Sequence, residues 1–408
     1  MTLHPKTVCR NDPSRHKQYT IELATGTLHL ALDPGAVPLH RLLGFALRSH
    51  SQRPFLFVSK LLGKHHPVAP RLMRWSYRAL ARQILPSCSA GQTLCIGMAE
   101  TATGLGYGVF ATAHALGLTQ GWFLQTTRYH LAGLERLNFA EAHSHARDFF
   151  LYYPRDADAR ACFAHATNLV LIDDEISTGL TFLRLIQAYR RINPTLQRVL
   201  IVSLVNFADA AARDKVAREA DVPVSWLALR TGHWQFTARS VLPDLPVQVV
   251  GNGQCKKALL AWPGRLGIRE PLVWRPGLID ELLPLLRPAT PQRPVLVLGT
   301  GECNAPAILL AGALEQRGWP VRVQSTTRSP IHLGHAIHTV WRFQDNYGDT
   351  IDNFLYNMRL KDYSDIVLCH ETPIDDVLHE RLRDWDALSA HFELLPQTPY
   401  ATLHFCRS

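Results

Sequence analysis

A diverged internal duplication constrains this chain more than any other feature. Phe139-Ala-Glu-Ala-His-Ser-His-Ala-Arg-Asp-Phe-Phe-Leu-Tyr-Tyr153 aligns without gaps to Phe343-Gln-Asp-Asn-Tyr-Gly-Asp-Thr-Ile-Asp-Asn-Phe-Leu-Tyr-Asn357. Upstream, Gln125-Thr-Thr-Arg128 matches Ser325-Thr-Thr-Arg328, and Cys95-Ile-Gly-Met-Ala-Glu-Thr-Ala102 corresponds in pattern to Leu298-Gly-Thr-Gly-Glu-Cys-Asn-Ala305. Downstream, Asn168-Leu-Val-Leu-Ile-Asp-Asp-Glu175 matches Asp365-Ile-Val-Leu-Cys-His-Glu-Thr372, so His370 and Glu371 take the places of Asp173 and Asp174. Landmarks recurring in one order at an offset of about 200 residues mark a repeated structural unit.

Each copy reads helix, strand, glycine turn, helix, strand, variable loop, strand, which predicts an α/β chain of two parallel-sheet units covered by helices. In the first copy the pattern predicts a helix over 71–85, strands at 93–97, 122–125 and 169–172, and helical spacing over 109–116 and 182–189. Apolar runs at 199–205 and 224–229 read as further strands. Residues 242–276 are rich in Pro, Gly and Trp without periodicity, so we expect units at 1–245 and 277–408 joined by a boundary region at 246–276.

The 408 residues exceed one ordinary domain, and 47% hydrophobic with 19% charged residues is a globular composition. No run of eighteen apolar residues suggests a membrane span, and the polar first twenty residues do not read as a signal peptide, so a cytoplasmic location is expected. The eight cysteines are scattered without a Cys-x-x-Cys pair and read as reduced thiols. Twenty histidines form no zinc pattern. The net charge of +9 is spread without a basic run, which argues against nucleic acid as the partner.

The chemistry concentrates at 168–182, where an apolar strand delivers Asp173 and Asp174 into a loop of small residues. A strand-to-helix turn leaves the first helical amides unpaired. Ser177, Thr178, Gly179 and Thr181, following Glu175, let that turn fold around a phosphate and add hydroxyl donors. The acidic pair suits a vicinal diol and can hold magnesium directly or through water. A P-loop ATPase also ends a strand in acids, but its Gly-x-x-x-x-Gly-Lys-Ser/Thr loop does not occur here. Gly97–Gly106 likewise follows a strand and opens a helix. The amides of Glu100, Thr101, Ala102, Thr103 and Gly104 are therefore candidates for a second anionic group, with Arg128 able to take two oxygens at once.

The 168–182 stretch resembles the phosphoribosyl-pyrophosphate (PRPP) motif of type I phosphoribosyltransferases. Together with Thr327-Arg-Ser-Pro330 it is similar to orotate phosphoribosyltransferase-like proteins of tellurite-resistance and stress gene clusters, whose C-terminal domain is named for that Thr-Arg-Ser-Pro motif. The resemblance runs from Phe55-Leu-Phe-Val-Ser-Lys60 to His370-Glu371. It implies a type I phosphoribosyltransferase fold followed by a diverged copy, and a magnesium- and PRPP-dependent transfer of 5-phosphoribosyl to a base-like acceptor, toward a nucleoside-like metabolite. It also implies a mobile catalytic loop at Glu141, His143 and His145, pyrophosphate or acceptor contacts from Lys60 and Lys64 beside His65 and His66, and an aromatic hood at Trp234 and Phe236. A homodimer would be compatible with it. The alternative is a non-catalytic sensor of PRPP or nucleotide on the same fold.

In the second copy Thr372-Pro-Ile-Asp-Asp376 replaces the phosphate loop, with no glycine and two extra carboxylates, which would repel a phosphate. Thr327, Arg328, Ser329, Asp345, Asn346, Tyr347, His370 and Glu371 are left as candidates for a different polar site.

Overall fold

The computed structural model describes residues 17–35, 37–48, 53–88, 90–139, 149–239, 260–396, 398 and 400–407, with the strand Val8–Arg10 given by its backbone alone. Apolar runs long enough for a strand and bounded by glycine turns generate two sheets. The first has eight strands in the order Val8–Arg10, Lys17–Leu23, Gly26–Leu32, Val224–Ala238, Arg198–Asn206, Asn168–Ile176, Thr93–Gly97 and Gly121–Gln125. From Val224–Ala238 to Gly121–Gln125 the pairing is parallel, and the N-terminal strands add an antiparallel edge. Asn168–Ile176 is central and nearly all apolar until its last turn, as a strand covered on both faces must be.

The second sheet runs Val273–Trp274, Tyr400–Arg407, Leu388–Leu394, Asp365–His370, Val295–Gly299 and Val321–Ser325. Its last four strands are parallel. Strand registers pair Asn168 with Thr93 and Asp365 with Val295, so Asp173 and Asp174 are equivalent to His370 and Glu371, as the repeat predicts.

The glycine turns correct the expected alignment by one residue. Thr126 N–H donates to Gly97 O and Thr326 N–H to Gly299 O, while the amides of Ala99 and Gly301 donate to the hydroxyls of Thr126 and Thr326. Gly97 is thus equivalent to Gly299 and Glu100 to Glu302. The equivalence extends further: the Tyr152 hydroxyl links the Leu131 amide to the Tyr129 carbonyl, and the Tyr356 hydroxyl links Ile331 to Ser329 in the same way.

The halves pack against each other through helices Pro70–Ile84, Thr103–Ala115 and Ala305–Gln316, and one continuous hydrophobic core runs from Met73, Leu80 and Phe110 into Val297, Leu310 and Leu314. A β-carbon on Gly104 would stand 2.6 Å from Ile308 Cδ1, so glycine there permits the close approach of the equivalent helices. The expected boundary region is described from residue 260 onward, and two of its large side chains there are interior. Trp262 and Arg265 are among the largest fully buried side chains, and Ile268 bridges to Phe123.

Candidate active site at the end of the central strand

Asn168–Ile176 carries Asp173, Asp174 and Glu175 out of the first sheet, each half-buried. The Asp174 amide donates to Asp173 Oδ1 at 2.9 Å. Glu175 pairs with Arg53 at 2.6 Å, and that guanidinium also lies 4.9–5.6 Å from the rings of Phe55, Phe57 and Trp234. Burial is the main reason both aspartates ionise late: it lifts Asp173 well above the ordinary carboxylate range, with the neighbouring Asp174 adding to the shift. Asp174 is pushed up to about 6, again by burial first and then by the charge of Glu175.

Because the folded chain holds these protons longer than the unfolded one, Asp174 lowers stability as pH rises from the ordinary aspartate value through about 6, and Asp173 acts in the same direction. Asp174→Asn should therefore melt higher than the parent at pH 7, by about 1–2 kcal/mol after allowance for solvent screening. The gap should close by about pH 4. A variant that melts below the parent at neutral pH would contradict this electrostatic account.

Beyond the acids the chain turns through Ser177, Thr178 and Gly179 into the helix Leu180–Arg190. Thr178 and Thr181 are exposed and Ser177 half-buried. Gly179 is left-handed, at φ 76°, and a β-carbon on it would meet Trp226 at 2.7 Å. Gly179→Val should cost roughly 1–2 kcal/mol from the backbone alone and distort the turn. We expect weakened PRPP affinity by calorimetry, and unchanged affinity would place the phosphate elsewhere.

Other expected contacts are distributed differently. Glu141, His143 and His145 lie outside the described residues. Arg128 is half-buried, with its guanidinium 4.3 Å from the Phe149 ring and its amide donating to Glu302 Oε1 at 2.7 Å. Trp234 and Phe236 pack on Phe55 from the long strand Val224–Ala238. Lys60 donates to the His40 carbonyl at 3.0 Å, far along the hairpin from the acids.

Lys64, expected at pyrophosphate, is instead buried in the seam between the halves, 2.9 Å from both Glu100 Oε1 and the Gly301 carbonyl. Glu100 also accepts from the Arg328 amide. Burial opposes its ionisation, but Lys64 and Arg328, with Arg128 beyond, overcome that and hold it at about 2. Ala102, Thr103 and Gly104 are buried in the same seam, with Asn304 donating to Thr103 Oγ1 at 2.8 Å, while Thr101 is half-buried.

The seam is pseudo-symmetric. As Glu100 receives the Arg328 amide, Glu302 receives the Arg128 amide and the Thr127 hydroxyl. Each half thus orients the Thr-Thr-Arg turn of the other. Neither the exchange nor Arg53 was legible locally, since the partners stand more than a hundred residues apart in sequence.

The second copy's candidate residues do come together, but as a closed network rather than an open site. Arg328 binds Asp345 at 3.0 Å and Asp349 at 2.9 Å, and lies 4.6 Å from the Tyr129 ring, which stacks on Tyr347. Glu371, the counterpart of Asp174, is gripped by two Arg265 nitrogens, the Tyr347 hydroxyl and the Trp262 amide. His370 is fixed between Thr372 O and Ser389 Oγ. Thr327 is buried, and its hydroxyl accepts the Ser329 amide.

Residues 42–233 match the phosphoribosyl transferase family model, and residues 263–384 match the TRSP domain that lies C-terminal to it. The chain thus carries a region that matches the phosphoribosyl transferase family followed by one that matches the TRSP domain. Among solved structures, the chain is similar to adenine phosphoribosyl transferase from Trypanosoma brucei in complex with AMP, pyrophosphate and ribose-5-phosphate. That match has 15% identity and a TM-score of 0.33, covering 55% of this chain and 87% of that one. Orotate phosphoribosyltransferase from Francisella tularensis matches at 18% identity and a TM-score of 0.27, over 47% of this chain and 78% of that one. Adenine phosphoribosyltransferase from Giardia lamblia with 9-deazaadenine matches at 16% identity and a TM-score of 0.29, over 46% and 94%. No curated protein matches the chain.

Among the described residues, no group of three His, Cys, Asp or Glu could hold a metal ion on its own. Two adjacent carboxylates do fit magnesium, a hard cation usually completed by water and substrate phosphates. Their reluctance to ionise is itself what a nearby cation would relieve. No helix among the described residues is long and apolar enough to cross a membrane.

Proposed function

We propose that the first copy is a PRPP-dependent phosphoribosyltransferase acting on a nitrogen of a base-like acceptor. The observation that carries the reading is the acidic pair at the end of the central strand, opening directly into a Ser-Thr-Gly turn at a helix N-terminus. The turn's amides and the hydroxyls of Ser177, Thr178 and Thr181 take the 5-phosphate. Asp173 and Asp174 accept from the ribose hydroxyls and, as anions, favour the positive charge that builds on the sugar as the anomeric C–O bond breaks. The C–N bond then forms on the same carbon, pyrophosphate leaves, and the proton lost by the acceptor nitrogen passes to solvent or to the leaving group. Magnesium, when bound, supplies charge neutralisation to pyrophosphate.

Arg128 faces the departing anion, from a turn whose position is set by Glu302 of the second copy. Glu141, His143 and His145 fall in the stretch that would close over the substrate and exclude water. In this reading Lys64 and Glu100 belong to the seam. The second copy holds no second PRPP, because Arg265 and Tyr347 already occupy Glu371, so the full chain should bind one equivalent. The test is incubation with PRPP, magnesium and a panel of purine, pyrimidine and other nitrogenous bases, following pyrophosphate. Release with one acceptor class is expected. Stoichiometric PRPP binding without release for any base would favour the sensor instead.

A further inference from the structure

A second concavity lies well away from the acidic pair. The hairpin Leu43–Leu47/Phe55–Ser59 separates them: near its turn Arg53 touches Glu175, while at its open end Lys60 lines the concavity. Five paired residues and the short flanks place the two roughly 20 Å apart along the strands. Two chambers of about 650 and 820 Å³ share Pro38, Lys60, His66, Pro67 and Asp362, and so form one groove. Each is of ligand-pocket size.

The lining is chemically one-sided. Lys60, Arg359, Arg41 and Arg322 contribute four permanent cations, against the carboxylate of Asp362. His40, His66, His335 and His338 converge on the first chamber, and His66 is already held by the Pro67 carbonyl at 2.9 Å. The second chamber offers apolar surface, including Leu72 and Trp75, which are 43% and 45% exposed. An exposed tryptophan beside converging cations suits a flat ring attached to an anion.

His335 adds an independent observation. Its backbone is left-handed, at φ 53°, a region that histidine enters more readily than most residues, and its Nδ1 is buried without a hydrogen-bond partner. The Nδ1 itself is closed off from solvent, so His335 reaches the groove through the rest of its ring, which lines the first chamber.

We propose that this groove binds a phosphorylated small molecule with an aromatic body, the chemistry of a nucleotide, at a site distinct from the phosphate loop. The phosphates lie among Lys60, Arg359 and the histidines, and the ring lies toward Trp75. The site stands independently of the transferase reading, since none of these groups touches the acidic pair.

ADP titrated calorimetrically into the full chain tests it, with Arg359→Met, His335→Asn and Gly179→Val as variants. Asparagine tolerates the left-handed backbone, so His335→Asn removes the imidazole while sparing the turn. The expected result is ADP binding that weakens at least about tenfold in Arg359→Met and His335→Asn. Magnesium–PRPP affinity should stay within about twofold in both, and ADP binding should survive Gly179→Val. Any other pattern overturns the proposal, including ADP binding lost only in Gly179→Val, which would place it on the phosphate loop, or no ADP binding by the parent.

Discussion

Arg265→Met is expected to destabilise the protein by about 3–5 kcal/mol, the cost of removing one partner from a buried ion pair. The Arg265 side chain is 1% exposed, and those of Glu302 and Glu371 are 1% and 0% exposed. Its Nη1 and Nη2 meet the two Glu371 oxygens at 3.0 and 2.8 Å, and its Nε reaches Glu302 at 3.3 Å. Methionine fills much of the volume but leaves two carboxylates without their guanidinium in a medium that solvates them poorly. Urea denaturation measures the loss, and Arg265→Met combined with Glu371→Gln should regain part of it by neutralising the stranded charge. A loss below about 1 kcal/mol would mean that water reaches these groups and that the network is not closed.

The same residue shows why this seam escaped the sequence. Arg265 sits in a stretch whose Pro, Gly and Trp content reads as a linker, and its partners lie 37 and 106 residues away. By contrast the strand Asn168–Ile176 was legible, because an unbroken apolar run ending in acids has few structural readings. The repeat was legible through Thr-Thr-Arg and Phe-Leu-Tyr, which make equivalent hydrogen bonds in both halves. Its glycine turns were misaligned by one residue, since short runs of small residues fit several registers. The Gly97/Glu100 and Gly299/Glu302 spacing, identical in both copies, was the signal that fixes it. The antiparallel edge formed by Lys17–Leu23 and Gly26–Leu32 beside Val224–Ala238 was missed, and the expected strand at 224–229 continues to 238 because Gly26–Leu32 pairs with its second half. Lys60 through His66 read as one basic cluster, yet the fold divides it. Lys64 goes to the seam and Lys60 with His66 to the groove.

Divergence between the copies has a physical form. In the first, Asp174 is half-buried and hard to ionise, whereas its counterpart Glu371 accepts four hydrogen bonds from groups of the protein itself. A carboxylate already satisfied by arginine, tyrosine and a backbone amide has no reason to take a sugar hydroxyl. The second copy thereby becomes an internal partner: its Glu302 holds the amide of Arg128, and its core is continuous with that of the first.

That contrast sets the expected effect of removing the open pair. Asp173→Asn with Asp174→Asn should weaken magnesium–PRPP binding by about 3–6 kcal/mol, since each charged hydrogen bond to the ligand is worth about 1.5–3. In affinity this is roughly a hundredfold to ten-thousandfold loss. Unfolding would not account for it, because relieving two poorly solvated carboxylates should leave the variant at least as resistant to heat as the parent at pH 7. Calorimetry with PRPP and a melting curve on the same sample therefore separate a ligand-facing pair from a structural one. Falling affinity with undiminished stability is the outcome expected of a binding site. Affinity within about threefold of the parent would remove the acidic pair from the site and the transferase reading with it.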